Sequence, residues 1–245
     1  MRFEFGKNWS RFIKNLDDDR IKIAEQSLKD TLKINTLDNM KFVDIGSGSG
    51  LTSLAAVRLG ASVKSFDYDN YSVNCTKKLK DNFFPKLKEW NIEQGSILDD
   101  DYILSLGKFD IAVSWGVLHH TGNMQKAMEN ASSLTKNNGI LYLALYNDQG
   151  WISTYWKWVK ILYNYNLVGK ILMVMLHFPY LVLGPYILRK FTKRGINDRG
   201  MSLWYDLIDW VGGYPFEVIS IEQVVDFFSE KYELINLVSA GNRHG

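Results

Sequence analysis

His119 and His120 stand side by side after the apolar run 109–118, and an imidazole with a pKa near working pH can accept the proton of a hydroxyl or amine nucleophile. One of the two is expected to act as that base. Tyr146 and Asp148 stand at the tip of a second apolar run, 138–147, and can orient an acceptor. Another group of residues suits a ligand rather than a reaction. Asp44 is followed by glycines at alternate positions, Gly46, Gly48 and Gly50, with Ser47 and Ser49 between them. Glycines so spaced remove the Cβ atoms that would hold a ligand off the backbone, and they permit positive φ in a tight turn. Asp67 ends a further apolar run, and a carboxylate at a strand tip can accept both hydroxyls of a ribose.

These residues need elements to place them. Residues 41–45 read as a buried strand entering the glycine turn, and 51–59 as the helix leaving it, with Leu51, Leu54, Ala55 and Leu59 on one face. The first amides of that helix then point toward the ligand. No Gly-Lys-Ser/Thr follows, so the turn is not a P-loop. A dinucleotide turn would run G-x-G-x-x-G, and Asp44 would repel a pyrophosphate while orienting the cationic amino end of a ligand. The plain alternatives are a tight βα turn with no ligand and, for Asp67, a solvated strand end. Strands and helices alternate from 41 to 147, which predicts an α/β fold with a parallel sheet covered on both faces. Ligands in such sheets sit at the carboxyl edge, where His119, His120 and Tyr146 also fall.

With an acid preceding G-x-G-x-G and a second acid ending the next strand, the chain resembles the class I S-adenosylmethionine-dependent methyltransferases of small-molecule type, with a core like that of the ubiquinone/menaquinone methyltransferases. The resemblance covers roughly residues 40 to 147. It implies a Rossmann-like sheet, S-adenosylmethionine as cofactor, and cofactor contacts from Asp44, Gly46, Ser47, Gly48 and Gly50 in the first motif. Asp67 and Tyr68 belong to the end of strand two. Ser96 and Ile97 lie in the adenine-side loop, where the family often has Asp in place of Ser96. Trp115 closes strand four and is assigned to the cofactor as well. His119, His120 and Tyr146 take the catalytic positions, and no metal is implied.

Composition fits one α/β unit with an insertion. There are 245 residues, and 29 basic against 27 acidic side chains leave a formal charge of +2, too small a surplus to draw nucleic acid broadly. The absence of an Asn-Pro-Pro-Tyr-like tetrapeptide after strand four argues further against base methylation. Cys75 is the single cysteine, so no internal disulfide or cysteine zinc cluster can form, and its helical run 72–77 suggests packing. The first residues lack the apolar core of a secretory signal, which makes a cytoplasmic location the default expectation.

The organisation expected is a helical preface over 1–40, the cofactor-binding core over 41–147, an insertion over 148–210, and a return to the core over 211–245. In the preface, Trp9, Phe12, Ile13, Leu16, Ile21, Ile23, Leu28 and Leu32 suggest helices broken near residues 17–19. The insertion is aromatic at first, and its stretch 171–188 holds no Asp, Glu, Lys or Arg. Pro179, Gly184 and Pro185 interrupt that stretch, so two short helices are expected rather than one span. Three uses compete: a cap over the substrate or a homodimer interface, peripheral membrane contact through 151–199 with Arg189, Lys190, Lys193, Arg194 and Arg199 at anionic headgroups, or a true span. Residues 209–217 read as a turn-rich segment, 221–228 as a helix and 232–238 as a strand. The expected reaction is methyl transfer to a small molecule, by preference O-methylation of a metabolite or of a cell-surface sugar or lipid-linked precursor. The rivals are a catalytically silent membrane or partner-binding module, and an NAD-dependent oxidoreductase.

Overall fold

The computed structural model describes Phe3, Gly6, residues 16–184, Tyr186 and residues 203–239. Trp9, Phe12 and Ile13 of the preface, and the basic cluster from Arg189 to Arg199, lie outside the described residues.

Helix α1 (Asp18–Leu32) begins at Asp17, whose carboxylate accepts the Arg20 amide at 2.9 Å, and ends at Lys33 in the left-handed region. The break expected near residues 17–19 is thus the N-cap. Then come β1 (Lys41–Ile45), α2 (Leu51–Arg58), β2 (Ser62–Asp67), α3 (Asn70–Phe83), β3 (Trp90–Gln94), α4 (Asp100–Leu106), β4 (Phe109–Trp115), a 3-10 turn (Leu118–His120), α5 (Met124–Ser133) and β5 (Thr135–Ala144). All neighbouring strands are parallel, in the order β3-β2-β1-β4-β5. The connection reverses direction between β1 and β4, and the carboxyl edge there is where open α/β sheets bind ligands.

Alternation along the strands splits the core in two. Phe42, Val63, Ile111 and Val113 pack against Ile21 and Leu28 of α1 and Leu54 and Ala55 of α2. Val43, Ile45, Phe66 and Ala112 face Met124, Ala127 and Met128 of α5. Cys75 is buried on α3, as its helical run implied.

After the sheet, α6 (Trp151–Tyr165) and α7 (Leu167–Phe178) form a helical pair joined at Asn166, whose side chain caps α7 by accepting the Gly169 amide at 2.8 Å. A π-helical turn (Pro179–Leu183) follows, then α8 (Leu203–Gly212) and α9 (Ile221–Phe228). Val159, Tyr163, Met173, Leu207 and Val211 give this helical group a small core of its own. No helix among the described residues is long and apolar enough to cross a membrane, which removes the spanning reading for them.

Three expectations are corrected. Strand β5 begins and ends three residues early, and past its end Asn147 meets Ile219 in an isolated parallel bridge. Residues 209–212 complete α8, so the turn starts at Gly213. Residues 232–238 form no strand: Leu234, Ile235, Leu237 and Val238 are all exposed, so neither parity of side chains finds a buried face to fix a register.

Candidate active site

The glycine turn lies over the end of β2. Gly46, Gly48 and Gly50 have φ of 76°, 54° and 82°. The Gly46 and Ser47 amides donate to Phe66 O at 2.8 and 3.1 Å, and the Gly48 amide donates to Asp67 Oδ2 at 2.9 Å. The other Asp67 oxygen accepts the Asp69 amide at 2.8 Å, so one carboxylate ties the turn to the start of α3. Ser47 is buried and shares a hydrogen bond with Thr76 Oγ1 at 3.0 Å.

Asp44 sits beneath this turn. It is 3% exposed and accepts the hydroxyl of Ser53, which also pairs with Ser65 Oγ at 2.7 Å. Burial raises its pKa to about 6, against the opposing pull of the Ser53 hydrogen bond. Gly46, Asp67, Tyr68, Ser96, Ile97, Val117 and Thr121 line a narrow cleft of about 30 Å3, which Asp44 does not line.

This cradle has the chemistry S-adenosylmethionine needs. Bare backbone at the turn allows close approach, Asp67 at the lip can accept ribose hydroxyls, and Phe66, Ile97 and Leu98 provide apolar walls. A Cβ built on Gly46 would lie 2.5 Å from Val117 Cγ1, and one on Gly50 2.9 Å from Thr76 Cγ2, so neither position has room for a side chain.

The loop after β4 divides this cleft from a second space. Val117 and Thr121 belong to the cleft, whereas Trp115, Gly116, His119 and His120 line a groove of about 1700 Å3 that runs along β5. Trp115 meets Tyr142 of β5 edge-on at 5.5 Å and lines the groove. His119, His120 and Tyr146 come together as expected. The His119 ring lies 3.8 Å from the Tyr146 ring, and the His120 ring 4.4 Å from that of His119.

The turn-rich return holds these groups. Glu217 donates its amide to His119 O at 2.9 Å, Ile219 donates to Tyr146 O at 3.1 Å, and His120 Nδ1 lies 2.6 Å from Pro215 O. A carbonyl only accepts, so Nδ1 of His120 carries a proton. His119 is 1% exposed and neither ring nitrogen has a hydrogen-bond partner. Desolvation first, then the charges of His120 and Lys160, hold its pKa well below 6.5, so His119 is neutral and the expectation of a pKa near working pH fails for it. Asp148 accepts the Gly150 amide at 2.8 Å, helping to start α6.

Lys160 was not singled out from the sequence. It is 1% exposed, donates to Trp210 O, and its ammonium lies 5.0 Å from the Trp210 ring and 4.9 Å from the Phe216 ring. Both rings also touch Tyr146, so Lys160 backs the aromatic wall of the site. Burial lowers its pKa to about 7, partly offset by Asp209. Its signal was present: Trp156, Val159, Lys160 and Tyr163 share one face of α6, a buried stripe with one cation in it.

An all-parallel sheet with a glycine cradle after β1 and an acid ending β2 defines a Rossmann-like, class I methyltransferase, a class whose cofactor is S-adenosylmethionine. A family model described as a methyltransferase domain matches residues 36–171, and the chain belongs to that family. The chain is similar to the ubiquinone biosynthesis O-methyltransferase of Pelagibacter ubique, 27% identical over 139 residues that cover 55% of each chain. The enzyme of the same name from Glaesserella parasuis is 27% identical over 115 residues, 47% of this chain and 49% of that one. The chain spans about half the length of the curated relatives it matches. In fold it is similar to the magnesium protoporphyrin IX methyltransferase of Synechocystis PCC 6803 solved with bound SAH, with a TM-score of 0.52 and 14% identity over 92% of this chain and 82% of that one. PKMT2 of Rickettsia typhi in complex with AdoHcy gives a TM-score of 0.53 and 19% identity over 85% and 42%.

Proposed function

We propose that this protein methylates an oxygen of a small, lipid-linked acceptor, with S-adenosylmethionine as donor. The observation that carries this reading is His119, a fully buried imidazole with two unpartnered nitrogens at the head of an apolar groove, one loop away from the cofactor cleft. Buried polar atoms are rarely left unpaired, and a substrate hydroxyl at the groove head would pair with this one. Along the groove, Leu143, Leu145, Val224 and Phe228 suit an apolar extension of the acceptor. The curated relatives named as ubiquinone biosynthesis O-methyltransferases support an oxygen acceptor.

When bound, the cofactor supplies an electrophilic methyl group and a thioether leaving group. His119, neutral, hydrogen-bonds the acceptor hydroxyl and aligns it. His120, with its proton committed to Pro215 O, takes the hydroxyl proton on Nε2. Tyr146, Trp210 and Phe216 exclude water from the reacting oxygen.

The test supplies the protein with methyl-labelled S-adenosylmethionine and either an organic-phase lipid extract or an aqueous metabolite extract. Base-stable label in organic-phase products, as a methyl ether requires, lost in His120→Gln, is the expected result. Label confined to water-soluble amines would overturn the acceptor class. Cofactor binding with no transfer to either extract would leave a non-catalytic binding module.

A further inference from the structure

The helical pair leaves an apolar surface in solvent. On α7, Leu167, Val168, Ile171, Leu172, Met175 and Leu176 are all more than half exposed, from 52% for Ile171 to 72% for Val168. They follow each other at i, i+1, i+4, i+5, i+8 and i+9, which is one stripe of a helix. On α6, Trp151 and Tyr165 are each 78% exposed and Trp158 is 60% exposed, with Trp151 and Tyr165 near the helix ends. The inward stripe of the pair is already satisfied by its own core, so the outward stripe has no partner among the described residues. Contiguous exposed apolar surface of this kind marks an interaction site.

Charge decides what covers it. Residues 151–199 carry eight basic side chains and one acid, Asp198, a surplus of seven in a chain whose total surplus is two, so the remainder is net acidic. Two copies of this segment would each bring the same positive surplus. An anionic bilayer offers apolar acyl chains to the stripe, headgroup phosphates to the positive surplus of the segment, in which Lys157 and Lys170 are exposed, and an interfacial zone to the tryptophans and tyrosines. The helices are too short to span, so the contact lies in the plane of the interface.

We propose that the outward face of α6 and α7 is a docking surface for the anionic leaflet of a lipid bilayer, holding the catalytic core at the membrane surface. This does not depend on the acceptor's identity, because it rests on the exposed stripe and the charge of one segment. The groove and the docking face belong to consecutive elements, since six residues, 145–150, separate the end of β5 from the start of α6.

The full chain is sedimented with vesicles of phosphatidylcholine alone or with 30% phosphatidylglycerol, beside Leu172→Glu/Met175→Glu, two exposed positions outside the catalytic machinery. The expected result is retention on anionic vesicles, at least tenfold weaker in the variant, weakened by 0.5 M salt, with a blue shift of tryptophan emission and an unchanged melting temperature. Equal retention of protein and variant would overturn the proposal, as would no retention on either vesicle. A vesicle-independent dimer that the variant dissolves would assign the face to a second copy and also overturn it. Cofactor binding is measured on the same samples, so that a failure of the methyltransferase reading is seen separately.

Discussion

The imidazole of His119 lies over the phenol ring of Tyr146, centroids 3.8 Å apart and planes 30° apart, with neither imidazole nitrogen hydrogen-bonded. A ring so placed keeps its apolar faces packed and leaves both polar atoms to a substrate. His119→Phe retains the stack and removes both nitrogens. Turnover should fall about 100-fold, cofactor affinity should stay within about twofold, and stability should rise by about 1–3 kcal/mol as the unsatisfied atoms disappear. Turnover, calorimetry and chemical denaturation check the three parts; lost stability with full activity would make His119 structural.

Gly46 must lack a side chain for two separable reasons, its φ of 76° and the 2.5 Å approach of its would-be Cβ to Val117. Gly46→Ala should weaken cofactor binding at least tenfold. Adding Val117→Ala should restore part of the loss, since it relieves the contact and leaves the backbone strain. Titration of both variants with S-adenosylhomocysteine measures the split.

Asp44 carries a pKa raised from 3.8 to about 6, so the folded state holds its proton more tightly than the unfolded chain does. Its contribution to stability therefore grows as pH falls from about 6 to 4, and above pH 6 the buried charge costs roughly 3 kcal/mol. Asp44→Asn should melt higher than the unaltered protein at pH 7.5, and the difference should shrink toward pH 4. Melting curves at half-unit pH steps show this directly.

Lys160 has the opposite sign. With a folded pKa of about 7 against 10.5, the unfolded chain holds the extra proton between those values, and stability rises with pH across that window. Lys160→Met removes the term, so its stability relative to the unaltered protein should decline by about 1.4 kcal/mol per pH unit between 7 and 9. Urea unfolding at pH 7, 8 and 9 provides the slope.

The sheet was legible because its strands are apolar runs punctuated by glycines and acids, signals that act over a few residues. Helix α9, residues 221–228, was legible for the same reason, through the Ser220 cap and the paired apolar residues that follow. The meeting of His119, His120 and Tyr146 followed from the rule that parallel strands end at one edge. What escaped was tertiary. Lys160 gains its meaning from Trp210 and Phe216, 50 and 56 positions away, and no local pattern brings them together. Trp115 ends strand four, and only its packing against Tyr142 shows that it lines the β5 groove. The segment 232–238 had a strand's residues without a strand's partner.

The cofactor site is tested most directly by calorimetric titration with S-adenosylmethionine, S-adenosylhomocysteine and, as a control, NAD, on the protein and on Asp67→Ala. Micromolar binding of both adenosyl ligands, lost by at least tenfold in Asp67→Ala and absent for NAD, is expected from a carboxylate at the lip of a glycine cradle. No heat with either adenosyl ligand from a protein shown to be folded would contradict the cofactor site, and with it the transfer reaction.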